Sequence, residues 1–390
     1  MNKDFLILLL CIFSIQSCMV QRNDAEQIIL NVQEKYAPDS RVEVFNAELM
    51  HKDKGVVIKG ETTSREAHEM LLGELRKVYP DIEDSVRLLP DISLGEKTEG
   101  VIYNSVGTLR SAPRYNAELV SQALLGTPVK VLQEKRGWLR VQTPDEYIGW
   151  MMGSVKPMTQ NELNEYNKHS KVIVTSTFAT SYEKAEDNSL PVSDLVIGNI
   201  LNLKSESKGY FEVIYPDGRN AFIKLSDALK LNEWMDNIDL TGESIVNTAY
   251  KFKGIPYLWG GTSSKGLDCS GFTKSVYFMH GIILARDASQ QVNQGELVDS
   301  EGDFSKLIPG DLIFFGTKAN LSADVKGDNN PERVVHVGIY IGNNHFIHAS
   351  DNVHINSLSP EDPLYDEFNA GRYLRTKRYI VEGKAINVNK

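Results

Sequence analysis

Hydrophobic positions in the first quarter of the chain follow a helical period, then strand periods, then a helical period again. Residues 25–36 place apolar side chains at helical spacing, and Thr63 with Glu66 forms a capping-box pattern before an apolar stripe that reaches about Tyr79. The alternation between these two helices predicts strands over residues 41–49 and 55–59. We therefore expect a small α/β N-terminal unit over residues 25–95, in which no catalytic pattern is visible.

The middle of the chain contains an internal repeat at an offset of 72 residues. Short alternating stretches are separated by glycine and by Pro-Asp turns, and Gly137-Trp138 in the first copy corresponds to Gly209-Tyr210 in the second. Short strands broken by such turns are typical of small antiparallel barrels. The pattern resembles bacterial SH3-like domains and predicts two small β-barrels, at residues 98–158 and 168–230.

The two copies differ at positions that a shared structural role would keep alike. The first copy has Glu118 and Tyr147, whereas the second has Leu190 and Arg219 at the matched positions. One interpretation gives the polar pair of the first barrel a specific function. The other is ordinary divergence of surface residues, and the sequence by itself favours neither.

A cysteine follows the repeat in a setting that suits a reactive thiol. After a helix predicted over residues 236–252, Asp268-Cys269-Ser270-Gly271 opens a stretch with helical spacing, so Asp268 is predicted as the N-cap and Cys269 as the first helical residue. Free backbone N–H groups and the helix dipole at that position favour a thiolate. A cysteine buried in a core is the alternative, and the small and polar neighbours argue against it.

Two histidines further along the chain are placed to act with Cys269. Alternating apolar residues predict strands at residues 310–315, 335–341 and 345–349. If the last two strands are joined by a three-residue loop, 342–344, the side chains of His336 and His348 share one face at diagonal distance, and His345 points to the other face. The sequence therefore predicts a nucleophile, a base and a group that orients the base.

Zinc binding by His345, His348 and His354 is the alternative for this group of histidines. His345 and His348 alternate to opposite sides of the predicted strand, and no acidic residue stands at a spacing that suits a metal ligand. We therefore expect no metal and no cofactor.

The first residues and the cysteines bear on where the protein acts. An apolar run over residues 5–15 is too short to span a bilayer and is typical of an export signal. It ends before Cys18 in a pattern that resembles a bacterial lipoprotein signal, so we expect residues 1–18 to form the signal and Cys18 to carry lipid. Ordinary secretion with an incidental Cys18 is the alternative. With Cys11 removed and Cys18 lipidated, Cys269 is the free thiol that remains.

Composition and charge exclude several classes of protein. Apolar residues make up 41% of the chain, which rules out a mainly disordered or fibrous protein. The chain has 42 Lys and Arg against 52 Asp and Glu, a net charge of -10, so an overall basic footprint for nucleic acid is absent. We expect no nucleic-acid partner.

Several motifs of the C-terminal part occur together in one known family. The chain resembles the NlpC/p60 family of cysteine peptidases in Tyr257-Leu-Trp259-Gly-Gly, in Asp268-Cys269-Ser270-Gly271, in the Gly310-Asp311 strand, in His336-Val-Gly and in His348. The resemblance covers about residues 236–384. It implies a papain-like α+β catalytic domain with a Cys-His-His triad that cleaves cell-wall peptides.

Two barrels ahead of such a domain further resemble the γ-D-glutamyl-L-diamino acid endopeptidases, also called dipeptidyl-peptidase VI. In these enzymes the first barrel caps the cleft, and a Glu and a Tyr on it hold the free amine of the substrate. The resemblance gives these roles to Glu118 and Tyr147. It implies murein-derived peptides, L-Ala-γ-D-Glu-L-diamino acid, as partners. Together with Cys18 it implies a lipid-anchored protein that contacts the bilayer of the bacterial envelope, on the periplasmic side.

Each remaining site residue receives a role from its chemistry and from this resemblance. Cys269 attacks the carbonyl of the γ-D-Glu amide, His336 takes and returns the proton, and His348 orients His336. The backbone N–H of Cys269 and the hydroxyl of Tyr257 are candidates for the oxyanion hole. The residues expected to line the pocket are Trp259, Asp268, Ser270, Asp287 and Ser289, with Asp268 facing the substrate ammonium.

Two other functions stay open at this stage. One is an endopeptidase that acts on intact peptidoglycan and uses the barrels as wall anchors. The other is an inactive lipoprotein that binds muropeptides, and the complete set of Cys269, His336 and His348 argues against it.

Overall fold

The computed structural model describes residues 23–52, 55–319, 332–386 and 388. They form two compact units, the first comprising the described residues up to Gly95 together with Leu132–Glu134, and the second comprising the rest. Within these residues, no helix is both long enough and apolar enough to cross a membrane. The expected signal over residues 1–18, including Cys18, lies outside the described part of the chain.

The N-terminal unit combines a three-stranded sheet with two helices. Its elements are α1 (23–36), β1 (Phe45–Lys52), β2 (Gly55–Thr62), α2 (Arg65–Val78) and β3 (Glu83–Leu88). β1 and β2 are antiparallel, whereas β3 lies parallel to β2 after the crossover through α2. Ile58, Leu71 and Leu75 are fully buried where the helices meet the sheet.

Three details of this unit differ from the sequence prediction. β1 begins at Phe45 because residues 40–42 form a turn. Ser64 caps α2 by accepting the Ala67 N–H at 3.1 Å, whereas the Thr63 hydroxyl accepts the Val44 N–H. β3 is absent from the prediction because its sequence is mostly polar, as an edge strand tolerates.

Two seven-stranded sheets follow along the chain, and each is built from consecutive short strands. The first β module comprises β4 (Glu99–Ile102), β5 (Val106–Arg110), β6 (Leu119–Leu124), β7 (Pro128–Lys135), β8 (Trp138–Gln142), β9 (Ile148–Met152) and β10 (Val155–Met158). The second β module comprises β11 (Lys171–Val174), β12 (Phe178–Tyr182), β13 (Pro191–Val196), β14 (Ile200–Ser207), β15 (Tyr210–Ile214), β16 (Asn220–Lys224) and β17 (Ala228–Lys230). The helix α3 (Gln160–Lys168) lies between them in sequence.

The sequence repeat corresponds to a repeat in topology. The strand order β10-β4-β7-β8-β9-β5-β6 of the first β module recurs in the second as β17-β11-β14-β15-β16-β12-β13. Matching two-residue turns, Arg136-Gly137 and Lys208-Gly209, have positive φ at all four positions, from 51° to 82°. Turns of this kind match the twist of a hairpin, which explains the glycine at the second position.

The C-terminal module carries the residues of the predicted site. Its helices are α4 (Leu231–Asp236), α5 (Gly242–Tyr250), α6 (Cys269–Phe278), α7 (Ala288–Gln291) and α8 (Glu367–Ala370). Its strands are β18 (Thr262–Ser263), β19 (Gly266–Leu267), β20 (Glu296–Asp299), β21 (Leu312–Thr317), β22 (Arg333–Gly342), β23 (His345–Ala349), β24 (Val353–Ser357), β25 (Tyr373–Arg378), β26 (Ile380–Val381) and β27 (Lys384–Ala385).

A six-stranded antiparallel sheet of order β20-β25-β21-β22-β23-β24 forms the centre of this module. α6 packs on it, and its Phe272 and Val276 are fully buried in one core with Val337 and Ile339 of β22. The helix expected over residues 236–252 is interrupted, because α5 starts only after Thr241, whose hydroxyl accepts the N–H of the third residue of that helix. The packing of α6 against β22 brings Cys269 to the strand that carries His336.

Candidate active site

Cys269 is the first residue of α6, and Asp268 is its N-cap, which confirms the local prediction from sequence. The Asp268 carboxylate accepts the Gly271 N–H at 2.7 Å and so fixes where the helix begins. The nucleophile candidate therefore owes its position to its own sequence neighbours.

The surroundings of the thiol hold it in the protonated form. Cys269 is only 8% exposed, and burial raises the pKa of its thiol to about 12, with a further rise from the Asp268 charge. The backbone N–H groups of Val337 and Ser270 point at the sulfur and lower the pKa only in part. The sequence expectation of a stabilised thiolate is thus wrong for the resting site, because burial outweighs the N–H donors. Attack by this sulfur requires a base.

His336 and His348 supply such a group on neighbouring strands. Nε2 of His336 lies 2.7 Å from Nδ1 of His348, and both rings are buried. Their shared face and diagonal placement were expected from the alternation of β22 and β23, and this prediction is confirmed. The loop between the strands is two residues long, not three, because Gly342 pairs with His345 across a bulge. His345 lies apart from this pair, with its Nε2 3.0 Å from a carboxylate oxygen of Asp362.

A third side chain fixes the proton positions in this pair. Asn356 on β24 donates through Nδ2 to the Leu364 carbonyl at 3.2 Å, so its Oδ1 is the atom that faces Nε2 of His348 at 2.8 Å. His348 must then carry its proton on Nε2 and accept at Nδ1 from the Nε2–H of His336. Nδ1 of His336 is left as an unprotonated acceptor, which is what a general base for the thiol needs.

Both imidazoles are held in the neutral form. Burial lowers the pKa of His336 well below its ordinary value, and the neighbouring His348 and Arg372 add to the effect. Burial likewise lowers the pKa of His348 to about 4. At neutral pH the pair is therefore uncharged and can accept a proton from the thiol.

Tyr257 lies half-buried beside the sulfur. Burial raises the pKa of its hydroxyl to about 12, and electrostatic interactions with Cys269 and Asp268 contribute to the rise. The hydroxyl therefore stays protonated and can donate to an oxyanion. Its role in an oxyanion hole, with the Cys269 N–H, remains a prediction.

Asp268 has a partner that the sequence prediction did not include. The buried guanidinium of Arg286 contacts both carboxylate oxygens, with Nη1–Oδ1 at 3.1 Å and Nη2–Oδ2 at 2.5 Å. Nη1 also donates to the Ser270 hydroxyl at 3.0 Å, and the Gly260 N–H donates to Asp268 Oδ2 at 3.0 Å. A substrate ammonium would therefore have to share Asp268 with Arg286.

The first β module reaches the same site through two residues. Glu118 accepts a hydrogen bond from Trp259 Nε1 at 2.7 Å, and the indole is otherwise 63% exposed. Tyr147 is buried and close to Arg286. Burial alone would lower the pKa of the Arg286 guanidinium, whereas Asp268 raises it and Tyr147 adds a smaller rise. Both members of the polar pair that distinguishes the two sequence copies thus face the C-terminal module.

Gln122 joins the first β module to the segment that follows Trp259. Its Oε1 accepts from the Thr262 N–H and the Ser263 hydroxyl, each at 2.9 Å. Its carbonyl accepts from the Thr262 hydroxyl at 3.0 Å. Sequence reasoning missed Gln122, because nothing in its neighbourhood along the chain indicates a partner 140 residues away.

The last two residues predicted to line the pocket lie at the start of α7. Asp287 is its N-cap, in a capping box with Gln290, and one of its oxygens is 3.8 Å from Arg286. Ser289 lies within α7, where its carbonyl accepts from Asn293 at 3.2 Å. The described residues contain no group of three or more potential metal ligands.

Comparisons with known proteins identify two known domains in this chain. Residues 254–372 match the model of the NlpC/P60 family, and residues 109–154 match the model of the bacterial dipeptidyl-peptidase Sh3 domain. The first stretch contains the thiol, both histidines and Asn356, and the second contains Glu118 and Tyr147.

Relatives that are named for a peptidase activity align over most of their length. The chain is 34% identical over 271 residues to the gamma-D-glutamyl-L-lysine dipeptidyl-peptidase of Bacillus cereus, which covers 66% of this chain and 76% of that protein. It is 28% identical to dipeptidyl-peptidase 6 of Lysinibacillus sphaericus, over 68% of this chain and 93% of that protein. A solved NlpC/P60 family protein from Bacillus cereus is similar with a TM-score of 0.60 and 27% identity, covering 73% of this chain and 100% of the other.

Proposed function

This chain belongs to the NlpC/P60 family of cysteine peptidases, and on that premise we propose that it cleaves the γ-D-Glu–L-diamino acid bond of short murein peptides with a free N-terminal L-Ala. The observation that carries the proposal is the hydrogen-bonded pair of His336 and His348, the first of which lies on the strand whose Val337 N–H contacts the Cys269 sulfur. Glu118 and Tyr147 of the first β module face the same part of the C-terminal module. Support for the substrate class comes from relatives named as gamma-D-glutamyl-L-lysine dipeptidyl-peptidases.

In the proposed mechanism, the Cys269 thiol gives its proton to Nδ1 of His336 as the sulfur attacks the γ-carbonyl carbon. The resulting oxyanion accepts hydrogen bonds from the Cys269 N–H and the Tyr257 hydroxyl. His336 then returns the proton to the amide nitrogen, the C–N bond breaks, and the diamino acid leaves as an amine. Water attacks the thioester with His336 as base, which releases L-Ala-D-Glu and restores the thiol.

His348 and Asn356 serve this mechanism as positioning residues. They select the tautomer of His336 and stabilise the imidazolium that forms when the thiol is deprotonated, because His348 Nδ1 accepts from the ring that becomes charged. Neither group needs to touch the substrate.

Selection of a free amine is proposed for the end of the site near the first β module, which we take to be SH3-like. Glu118 offers a carboxylate whose present partner is the Trp259 N–H, and Tyr147 and Asp268 lie nearby around Arg286. Ser270, Asp287 and Ser289 complete the proposed binding set. An N-acylated peptide lacks the positive charge that these carboxylates attract, and its acyl group adds bulk next to them.

Mass spectrometry of products tests this function. The purified protein is incubated with L-Ala-γ-D-Glu-L-Lys and with the N-acetylated tripeptide, and Cys269→Ala serves as the control. Cleavage of the free tripeptide alone, lost in Cys269→Ala, is the expected result. Equal cleavage of both peptides would refute the proposed role of Glu118 and Tyr147 in selecting a free amine. Digestion of intact peptidoglycan without cleavage of either peptide would instead indicate a wall-degrading endopeptidase.

For location, we propose an exported protein anchored by lipid at Cys18, which lies outside the described residues. Support comes from the apolar run that ends just before this cysteine. Cys18→Ala is expected to move the expressed protein from the membrane fraction to the soluble envelope fraction. Retention of the variant in the membrane fraction would refute the anchor.

A further inference from the structure

Arg372 lies beside the histidines and has no part in the mechanism above. It immediately precedes β25, and its carbonyl accepts the Gly316 N–H of β21 at 2.9 Å. On β21, Phe315 is in register with His336 on one side and with Tyr373 on the other. About two strand spacings, roughly 10 Å, therefore separate the Arg372 backbone from that of His336, and a side chain as long as arginine bridges most of this gap.

The guanidinium is held in place and yet keeps one edge available. Nε and Nη2 donate to Asn369 Oδ1 at 3.0 Å and 2.7 Å, and the group stacks over the Phe368 ring at 4.1 Å. Within the described part of the chain, Nη1 makes no hydrogen bond, and Arg372 forms no ion pair with a carboxylate. A fixed cation with an unused donor edge is the kind of group that binds a carboxylate.

The charge of Arg372 acts on the reacting groups, not on the amine-binding end. Its largest electrostatic partner is the Asp366 carboxylate, which forms no ion pair with it among the described residues, and it also interacts with Cys269, His336 and His348. The amine-binding end is built from other segments, and its own arginine, Arg286, is already paired with Asp268. Because His336 must reach the leaving nitrogen, a cation next to the histidines faces the diamino acid that departs.

We propose that Arg372 binds the free α-carboxylate of the leaving diamino acid, so that the enzyme prefers peptides that end at this residue. This carboxylate is bonded to the same carbon as the leaving nitrogen, which places it next to His336 during proton transfer. The proposal rests on the proposed function, because that function defines which residue leaves. A charge-assisted hydrogen bond of this kind changes affinity by about tenfold to a hundredfold.

The test compares L-Ala-γ-D-Glu-L-Lys with the same peptide ending in a carboxamide. The wild-type protein is expected to cleave the acid with a kcat/KM at least about tenfold above that of the amide. Arg372→Met is expected to lose this preference by losing activity on the acid, while the amide changes less than about threefold. Arg372→Lys should keep part of the preference. Arg375→Met is the matched control, because Arg375 lies three residues further along, on β25, and already pairs with Glu332.

Other results would overturn the proposal. Equal losses on acid and amide in Arg372→Met would mean that Arg372 acts only through the histidines. Wild-type protein without any acid preference would also refute a carboxylate subsite. If neither peptide is cleaved, the proposed function fails, and the rates of Cys269 alkylation by iodoacetate and iodoacetamide decide separately. If the rate with iodoacetate relative to the rate with iodoacetamide falls in Arg372→Met, the carboxylate-binding role of Arg372 is supported. If this ratio is unchanged, that role is excluded.

Discussion

The ion pair between Asp145 and Lys274 holds the Tyr147 loop on the nucleophile helix, and we expect Lys274→Met to release that loop. Lys274 Nζ on α6 lies 2.9 Å from Asp145 Oδ2, and the two side chains are 18% and 3% exposed. Asp145 precedes Tyr147 by two residues in a turn closed by the Thr143 N–H and the Tyr147 carbonyl at 3.0 Å. The position of Tyr147 in the site therefore depends on this pair.

The second β module indicates that the pair is a specific feature of the first. There the matched Asp217 pairs with Arg219 inside its own turn at 2.7 Å, with both side chains partly exposed. The matched aspartate thus pairs with a lysine of α6 in the first β module and with an arginine of its own turn in the second.

The magnitude follows from the distance and the burial. At 2.9 Å and an effective dielectric constant of about 20, two unit charges attract by about 6 kcal/mol before desolvation is subtracted. Removing one partner of such a buried pair typically costs about 3–5 kcal/mol. The strands β8 and β9, which flank the loop, remain paired with each other from Gln142 and Ile148 onward. The lost stability should therefore appear as local opening of residues 143–147 and not as unfolding of the hairpin.

Hydrogen exchange measured by mass spectrometry on peptides covering residues 143–149 reads out this opening. A loss of about 3 kcal/mol speeds exchange of the loop by about 100-fold in Lys274→Met. Lys274→Arg is the control that keeps the charge. The double variant with Asp145→Asn should recover most of the protection, because no bare charge is left buried. Exchange within threefold of wild type in Lys274→Met, or no recovery in the double variant, would refute the reasoning.

The pH dependence of the same effect has a definite sign. Burial alone would raise the pKa of Asp145, but the Lys274 charge and the Thr143 hydroxyl hold it below its usual value. A group with a depressed pKa stabilises the fold above its unfolded value, near 4, and loses this contribution as the pH falls through the folded value. The excess exchange of Lys274→Met over wild type should therefore shrink as the pH is lowered toward 4 and below.

Three further predictions concern the site itself. Asn356→Leu leaves the Nε2–H of His348 without its acceptor, and we expect kcat to fall about tenfold or more with KM nearly unchanged in a peptide-cleavage assay. Because burial raises the pKa of Cys269 to about 12 and lowers that of His336, the rate of alkylation by iodoacetamide should climb between pH 8 and 10 instead of levelling off near neutral pH. Gln122→Ala should raise KM for the free tripeptide about tenfold while leaving the alkylation rate of Cys269 unchanged.

Each of these predictions has a matched control or a contradicting outcome. Asn356→Asp keeps an acceptor for His348 and should retain most of the kcat, and an unaltered kcat in Asn356→Leu would deny Asn356 a positioning role. An alkylation rate that is already constant at pH 7 would mean that the thiol and His336 share a charge-separated ground state. Slower alkylation in Gln122→Ala would point to general disorder of the site instead of a local role in substrate binding.

Local sequence patterns were sufficient for the parts of this fold that local interactions determine. The start of α6 at Asp268 and Cys269, and the diagonal placement of His336 and His348, follow from capping chemistry and strand alternation. The matched turns of the two β modules follow from glycine at positive φ.

Parts that depend on distant contacts could not be read from the sequence. Asn356 reaches His348 only because β24 pairs with β23, and no periodic signal marks an asparagine as a partner of a ring. The pairing of Arg286 with Asp268 depends on how the segment before α7 folds back over α6. The raised pKa of Cys269 is likewise a property of burial, which a helix-start pattern does not reveal.

The side-chain amide of Asn356 is the last member of the hydrogen-bond chain that runs from His336 through His348. An asparagine side chain neither takes up nor releases a proton at physiological pH, so the proton on His348 Nε2 has nowhere further to travel. The proton that His336 takes from the thiol therefore cannot be transferred along this chain into the protein interior. His336 can give this proton only to the nitrogen of the departing amine. The imidazolium therefore returns to its neutral form in the same step that breaks the peptide bond.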